Sequence, residues 1–347
     1  MRADIITVRR RAQKMGSVSG RRQRACLADR RPGKAGKEEM LMLSCTLLIV
    51  LLAALCAAGD EPPGMSVNFG REDMVIKSGW RPLLRYRHAN VPFKPYVQEL
   101  FTPAGTNILR DAPEDHLHHH ALMFALGVNG ASFWAETPAC GKQMHLHLGT
   151  PEKNPDDRTP TDGLTHTLRW RTAEGVSVLE ERRAIRAMYE AEHNATLLFW
   201  ESTLTAIEGL DEVVLTGSHY YGLGMRFVES MDKDGAFLYA GDAPGEIVRG
   251  DERLTPGPWC AYTGVAEGRR VTVAMFDHPD NPRYPALWFT MQTPFAYLSA
   301  TRNLWKEPMP LMPGEPVHFR HAIAVWDGAK DAATIAAMNE RLLALWR

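Results

Sequence analysis

Residues 176–186 read Val-Ser-Val-Leu-Glu-Glu-Arg-Arg-Ala-Ile-Arg. Val176, Val178 and Ile185 are interleaved with Ser177, Glu180, Glu181 and Arg183, the period-2 pattern of a strand with one buried face. Similar short segments, rich in β-branched and aromatic residues, recur after Ser66: 83–87, 121–126, 131–136, 144–148, 165–171, 196–206, 211–219, 235–240, 270–276 and 317–326. Gly, Pro, Asn and Asp punctuate them. This rhythm predicts an all-β sandwich or barrel. One helix is expected at 329–347, where Ile335, Met338, Leu342 and Leu345 recur at helical spacing behind a potential Asp331 cap. No linker divides residues 60–347, so a single domain is expected there. The polar stretches 149–163 and 241–258 are predicted to be excursions from the sheets.

The first 59 residues have a different character. Residues 1–39 carry twelve Lys/Arg against four Asp/Glu and no apolar periodicity. Residues 40–58 (MLMLSCTLLIVLLAALCAA) resemble a signal-peptide core with cleavage after Ala58; an uncleaved membrane anchor is the competing reading. Met40 or Met42 is an alternative start. An exported protein, periplasmic or extracellular, is therefore expected, touching a membrane only if this segment is retained. Without its basic leader the chain keeps 28 basic and 37 acidic residues, a net charge of −9. That balance argues against nucleic acid as a partner. Of five cysteines only Cys140 and Cys260 follow the leader, enough for one disulfide but not for a Cys-only zinc site.

Chemistry is concentrated in Asp115-His116-Leu117-His118-His119-His120. In an extended strand His116, His118 and His120 would share one face, and Asp115, Leu117 and His119 the other. Clustered imidazoles suit acid/base work near neutral pH or a divalent metal, with His116, His118 and His119 as the candidate ligands. The bland alternative is a solvated loop lip. The loop Asp277-His278-Pro279-Asp280-Asn281-Pro282-Arg283, followed by Trp288, offers groups that suit a polyhydroxylated or anionic small molecule, or else ordinary turn chemistry. In Tyr221-Gly222-Leu223-Gly224-Met225-Arg226 the spaced glycines suit a close backbone approach, and Arg226 either reaches a ligand or faces solvent. Trp134 and Glu136 are expected on one strand face, and His145 and His147 on one face of the next strand. His219 is a further candidate contact.

These motifs resemble the DUF6807 family of exported bacterial proteins, often labelled "methane oxygenase PmoA". The resemblance runs from Leu84/Tyr86 and Lys94-Pro95-Tyr96 through Thr102-Pro103-Ala104-Gly105, Asp115-His116-x-His118-His119 and Asn129-Gly130 with Phe133-Trp134. It continues through Tyr221-Gly222-Leu223-Gly224-x-Arg226-Phe227, Trp259-Cys260-x-Tyr262, the Asp277–Arg283 loop with Trp288, and Pro313-Gly314-Glu315. The resemblance implies a large antiparallel β-sandwich of the galactose mutarotase-like supersandwich kind, a fold that usually binds or processes carbohydrate. It departs at His120-Ala121, where relatives carry a basic residue and Gly, and at Leu126, where a further His falls.

The sequence thus supports three functions. The leading one is a carbohydrate-directed enzyme (hydrolase, lyase or epimerase) acting on a sugar or sugar acid. His116, His118, His119, Asp115, Asp277 and His278 would be catalytic; Trp134, Glu136, His145, His219, Arg226, Asn281, Arg283 and Trp288 would bind substrate. The Asp277–Arg283 loop is expected to form the opposite wall of the histidine groove, so His119→Ala and Asp277→Ala should each abolish turnover at little cost in stability. The rivals are a non-catalytic sugar-binding module and, as the family label suggests, a copper oxygenase.

Overall fold

A computed structural model describes residues 64–151, 162–210, 212–241 and 245–346. The leader (1–39), the apolar segment (40–58) and most of the 149–163 excursion lie outside these residues. Two large antiparallel sheets dominate. The ten-stranded sheet runs in spatial order Met65–Phe69, Asp73–Ser78, Arg81–Arg87, Tyr96–Leu100, Leu122–Ala125, Gly222–Arg226, Tyr297–Thr301, Leu287–Met291, Glu252–Pro256, Glu246–Arg249. The eight-stranded sheet runs Ala236–Tyr239, Trp259–Ala266, Arg269–Asp277, Val317–Asp327, Ala195–Ala206, Ser177–Glu190, Gly163–Arg171, Lys142–Gly149. A small four-stranded sheet, with Val213–Thr216 at its centre, completes the fold.

The sheets face each other across a shared core. Phe124 of the larger sheet meets Trp170 and Phe319 of the smaller at ring-centroid distances of 6.2 and 5.9 Å. The fold is the antiparallel β-sandwich expected. Its helix, Ala332–Leu345, begins where Asp331 accepts a hydrogen bond from the Thr334 amide. Ile335, Met338, Leu342 and Leu345 pack on the outer face of the eight-stranded sheet, over Ala261, Ala274, Ala322 and Ala324. Small residues let the helix approach the sheet. This second apolar layer explains the unbroken run Leu197-Leu198-Phe199-Trp200: alternate residues serve the two cores.

Two local expectations are corrected, and the open question of a disulfide is answered. A register shift between Ser177 and Leu179 turns Leu179, Glu181, Arg183 and Ile185 toward the core, so Glu181 and Arg183 are buried rather than solvated. Arg183 is satisfied there by Glu181 at 2.8 Å, Gln143 at 2.9 Å and the Pro95 carbonyl at 2.9 Å, and stacks on Trp200. The 241–258 stretch is not an open excursion, since Glu246–Arg249 and Glu252–Pro256 pair as a hairpin. Cys140 and Cys260 are both free and buried, so they form no disulfide.

Candidate functional site

The Asp115–His120 hexapeptide is not a strand. The His116 amide donates to the Pro113 carbonyl and the His119 amide to the His116 carbonyl, making two consecutive turns. Pro113 fixes its own φ at the entry, and Ala121 leaves the segment at φ 46°. The coiling overturns the period-2 expectation. His116 stacks on His119 (4.6 Å, 23°), His118 packs edge-on to His119 (4.6 Å, 75°), and His120 turns away.

These rings sit over the face of the ten-stranded sheet turned away from the shared core. Register fixes that face. Leu122, Phe124, Leu223, Met225, Leu298 and Trp288 point into the sandwich, so Gly224, Arg226, Tyr297, Ser299, Phe289 and Met291 point the other way. A pocket of about 300 Å³ opens there. His116, His118 and His119 line one side, and Tyr297, Phe289, Met291 and Glu252 of the sheet, with Trp134, Tyr220 and Phe295, line the rest. Gly224 makes the room, because a Cβ there would strike the Tyr297 hydroxyl and the Trp134 ring. Trp134 is braced by Tyr221 (5.0 Å, 8°), and Arg226 lies 3.4 Å from the Phe295 ring centre. Arg226 Nη2 reaches Asp115 at 3.3 Å and Asp232 at 3.8 Å.

Burial sets the protonation of the turn. It pushes His119 down to about 2, helped by the neighbouring His118 and His116. His118 is lowered by burial and by the Lys94 charge. Both are neutral at pH 7, the form that accepts a hydrogen bond or ligates a metal. His120 behaves oppositely. Burial disfavours its charge, but hydrogen bonding to Asp111 and Glu136 outweighs this and raises its pKa. Its Nδ1 lies 2.7 Å from Asp111, and its Nε2 lies 3.1 Å from Glu136. Glu136 also takes the fully buried Lys94 ammonium at 2.7 Å. On the sheet side Glu252 accepts from His219 Nε2 at 3.2 Å and from Arg249.

The other sequence-predicted residues lie elsewhere. The Asp277–Arg283 loop is not the opposite wall of this pocket. Asp277 is buried and gripped by both terminal nitrogens of Arg302, with Asn281 Nδ2 donating to it at 2.7 Å. His278 packs against Trp346 beyond the helix. Asn281 further ties the loop to Arg320, and Arg283 donates to the carbonyls of Arg302 and Glu307. Trp288 is wholly buried and donates to the Gly257 carbonyl at 2.7 Å, so it cannot stack on a ligand. Trp134 and Glu136 do not share a strand, since the strand ends at Ser132, and Glu136 does not line the pocket. His145 belongs to a separate group with His166. The structure therefore brings His116, His118, His119 and Trp134 to one pocket, with Asp115, Arg226 and His219 beside it. Sequence reasoning missed Glu252, Tyr220, Phe289, Phe295 and Tyr297. The one available signal was the alternation Leu287, Phe289, Met291 against Trp288, Thr290.

As a metal centre the turn is not preorganised. Among the described residues, the group whose ligand atoms all lie within 4.8 Å of one another is Glu190, Glu192 and His193. Glu190 is already taken by Arg341 and by the His193 amide.

Fold and site together define a two-sheet β-sandwich protein with an aromatic, imidazole-lined pocket on the outer face of its larger sheet. The chain belongs to the DUF6807 family, a family of unknown function, whose model matches residues 73–340. No curated protein matches the sequence. Among solved structures it is similar to the galactosidase domain of alpha-galactosidase-sucrose kinase, AgaSK (TM-score 0.46, 9% identity, 76% of this chain and 42% of that one). It is also similar to the alpha-galactosidase from Lactobacillus brevis (TM-score 0.39, 10% identity, 76% of this chain and 40% of that one). The chain thus spans less than half the length of either.

Proposed function

We propose that the protein binds a single sugar ring or sugar acid in this pocket and transfers protons on it. The observation that carries the reading is a group of buried polar atoms without hydrogen-bond partners around one aromatic pocket. They are His119 Nδ1, Trp134 Nε1 and Tyr297 OH on lining residues, with Arg226 Nε and Nη1 and Ser299 Oγ on the same face of the sheet. Each such atom costs about 1–3 kcal/mol when buried unpaired. A ligand with hydroxyls around an apolar ring would satisfy several at once, with the aromatic walls covering its apolar face.

Glu252 and the neutral imidazoles line the same space, so a carboxylate to take a proton and imidazoles to hydrogen-bond a hydroxyl or carbonyl are available to one substrate. Glu252 is the one carboxylate among the lining residues. Glycoside hydrolysis ordinarily uses two. Epimerisation, or proton exchange at a carbon next to a carbonyl, is therefore favoured over hydrolysis. The apolar run at 40–58 supports action outside the cytoplasm.

The test is NMR of the full chain in deuterated water with a panel of sugars and sugar acids. The wild type should accelerate anomer interconversion or exchange a proton next to a carbonyl. Glu252→Gln and His119→Ala should each reduce kcat by roughly 100-fold or more, with KM changed far less. Unchanged rates in both variants would overturn the assignment. The aromatic lining also favours a second reading, a non-catalytic sugar-binding module. It predicts saturable binding without turnover.

A further inference from the structure

A second group of histidines lies apart from the pocket, and no step of the proposed chemistry uses it. His88 follows the strand Arg81–Arg87, His145 lies on the edge strand Lys142–Gly149, and His166 lies on Gly163–Arg171. We propose that His88, His145 and His166 bind a divalent transition-metal cation of the zinc class.

Three observations support this. First, His88 is only 5% exposed and neither of its ring nitrogens has a hydrogen-bond partner. A buried imidazole satisfied at neither nitrogen needs a partner. Second, His145 stands at or near ligand spacing from each of the other two rings. Two imidazoles on a tetrahedral ion, with metal–nitrogen bonds of about 2.0–2.1 Å, place their ring centres about 5 Å apart. His145 and His166 are 4.9 Å apart at 54°, and His88 and His145 are 6.2 Å apart at 43°. Third, His166 is held as a ligand would be. Its Nδ1 is 2.9 Å from the Tyr86 hydroxyl, which itself accepts from Arg183. Its Nε2 is left to face His145 Nδ1 at 2.8 Å. Such an outer bond fixes the ring and tautomer of a metal-bound histidine.

The three sets of ligand atoms do not yet all lie within 4.8 Å of one another. Closing the site takes a small separation of His145 from His166 and a rotation of His145 toward His88. His145 is exposed on an edge strand, so its side chain is free to make that movement. The His116 turn is the poorer site, because His116 and His119 are stacked nearly parallel and cannot aim their lone pairs at one ion. Three imidazoles suit zinc, copper, nickel or iron(II) over calcium or magnesium, and leave one position for water.

The probe is Zn²⁺ alone, titrated calorimetrically into chelator-treated full-length protein, with Co²⁺ absorption as a reporter of ligand geometry. The wild type should bind one ion tightly and give the visible band of tetrahedral Co²⁺. His145→Ala, a change at an exposed position, should weaken Zn²⁺ by roughly tenfold or more and abolish that band. His118→Ala should leave both unchanged. No binding by the wild type, equal affinity in His145→Ala, or loss in His118→Ala would each overturn the proposal. The readout uses no sugar, so it stands or falls separately from the pocket.

Discussion

The Tyr297 hydroxyl occupies the space where the side chain of any other residue at Gly224 would begin. The two sit on neighbouring strands of the ten-stranded sheet, Gly224 opposite Ser299 and Arg226 opposite Tyr297. The pocket therefore depends on a missing side chain. Gly224→Ala should force Tyr297 and Trp134 outward, lower stability by about 1–3 kcal/mol and abolish ligand binding. Ser299→Ala, which adds no bulk on the same face, should cost far less. Thermal melts and ligand titrations of the two variants check the pair.

Asp277 carries a structural load that its position in a polar loop does not reveal. It neutralises Arg302, which is itself buried. Asp277→Ala would leave that guanidinium uncompensated and should cost about 3–5 kcal/mol in denaturant unfolding. Turnover per folded molecule should change little. This reverses the sequence-based expectation of lost activity at constant stability.

Glu136 is a parallel case behind the pocket. Glu136→Gln removes the charge beside fully buried Lys94 and one partner of His120. Destabilisation of about 3–5 kcal/mol is expected, and Lys94→Met in the same chain should recover much of it. A double-mutant cycle measures the recovery.

Stability should fall on acidification below about pH 6.5. Burial lowers His119 to about 2 and His321 to about 3. Below the unfolded histidine value the unfolded chain binds protons that the folded rings refuse. Each ring then costs about 1.4 kcal/mol per pH unit. His120 opposes this: its raised folded pKa contributes stability that is fully present below about pH 6.5 and lost as pH rises through the folded value. In unfolding curves at pH 7.5, 6 and 5, His119→Gln should reduce the acid-side slope by about one proton. An unchanged slope would mean that His119 titrates normally in the folded state.

The strands with alternating or continuous apolar residues were legible, as was the helix with its Asp331 cap, because burial on one or two faces writes itself into local periodicity. The hexapeptide was legible as a cluster but not as a shape. Its period-2 reading assumed an extended backbone, and the turns at His116 and His119 repack the rings. Glu252 and Tyr297 were invisible because only long-range pairing brings them to the turn: Tyr297–Thr301 with Gly222–Arg226 and Leu287–Met291, and Glu252–Pro256 with Leu287–Met291. Trp288 and Asp277 misled for the converse reason. An aromatic or a carboxylate near a polar loop looks the same in sequence whether it faces a ligand or a buried Arg302.

The unpartnered polar atoms around Tyr297 and His119 are assigned to a sugar site. Calorimetric titration of neutral and acidic monosaccharides into the full chain, repeated with Tyr297→Phe and Gly224→Val, tests that assignment most directly. Saturable one-site binding is expected for the wild type, weakened by about 1–3 kcal/mol in Tyr297→Phe and absent in Gly224→Val. Binding of equal strength in all three, or none by the wild type, would contradict it.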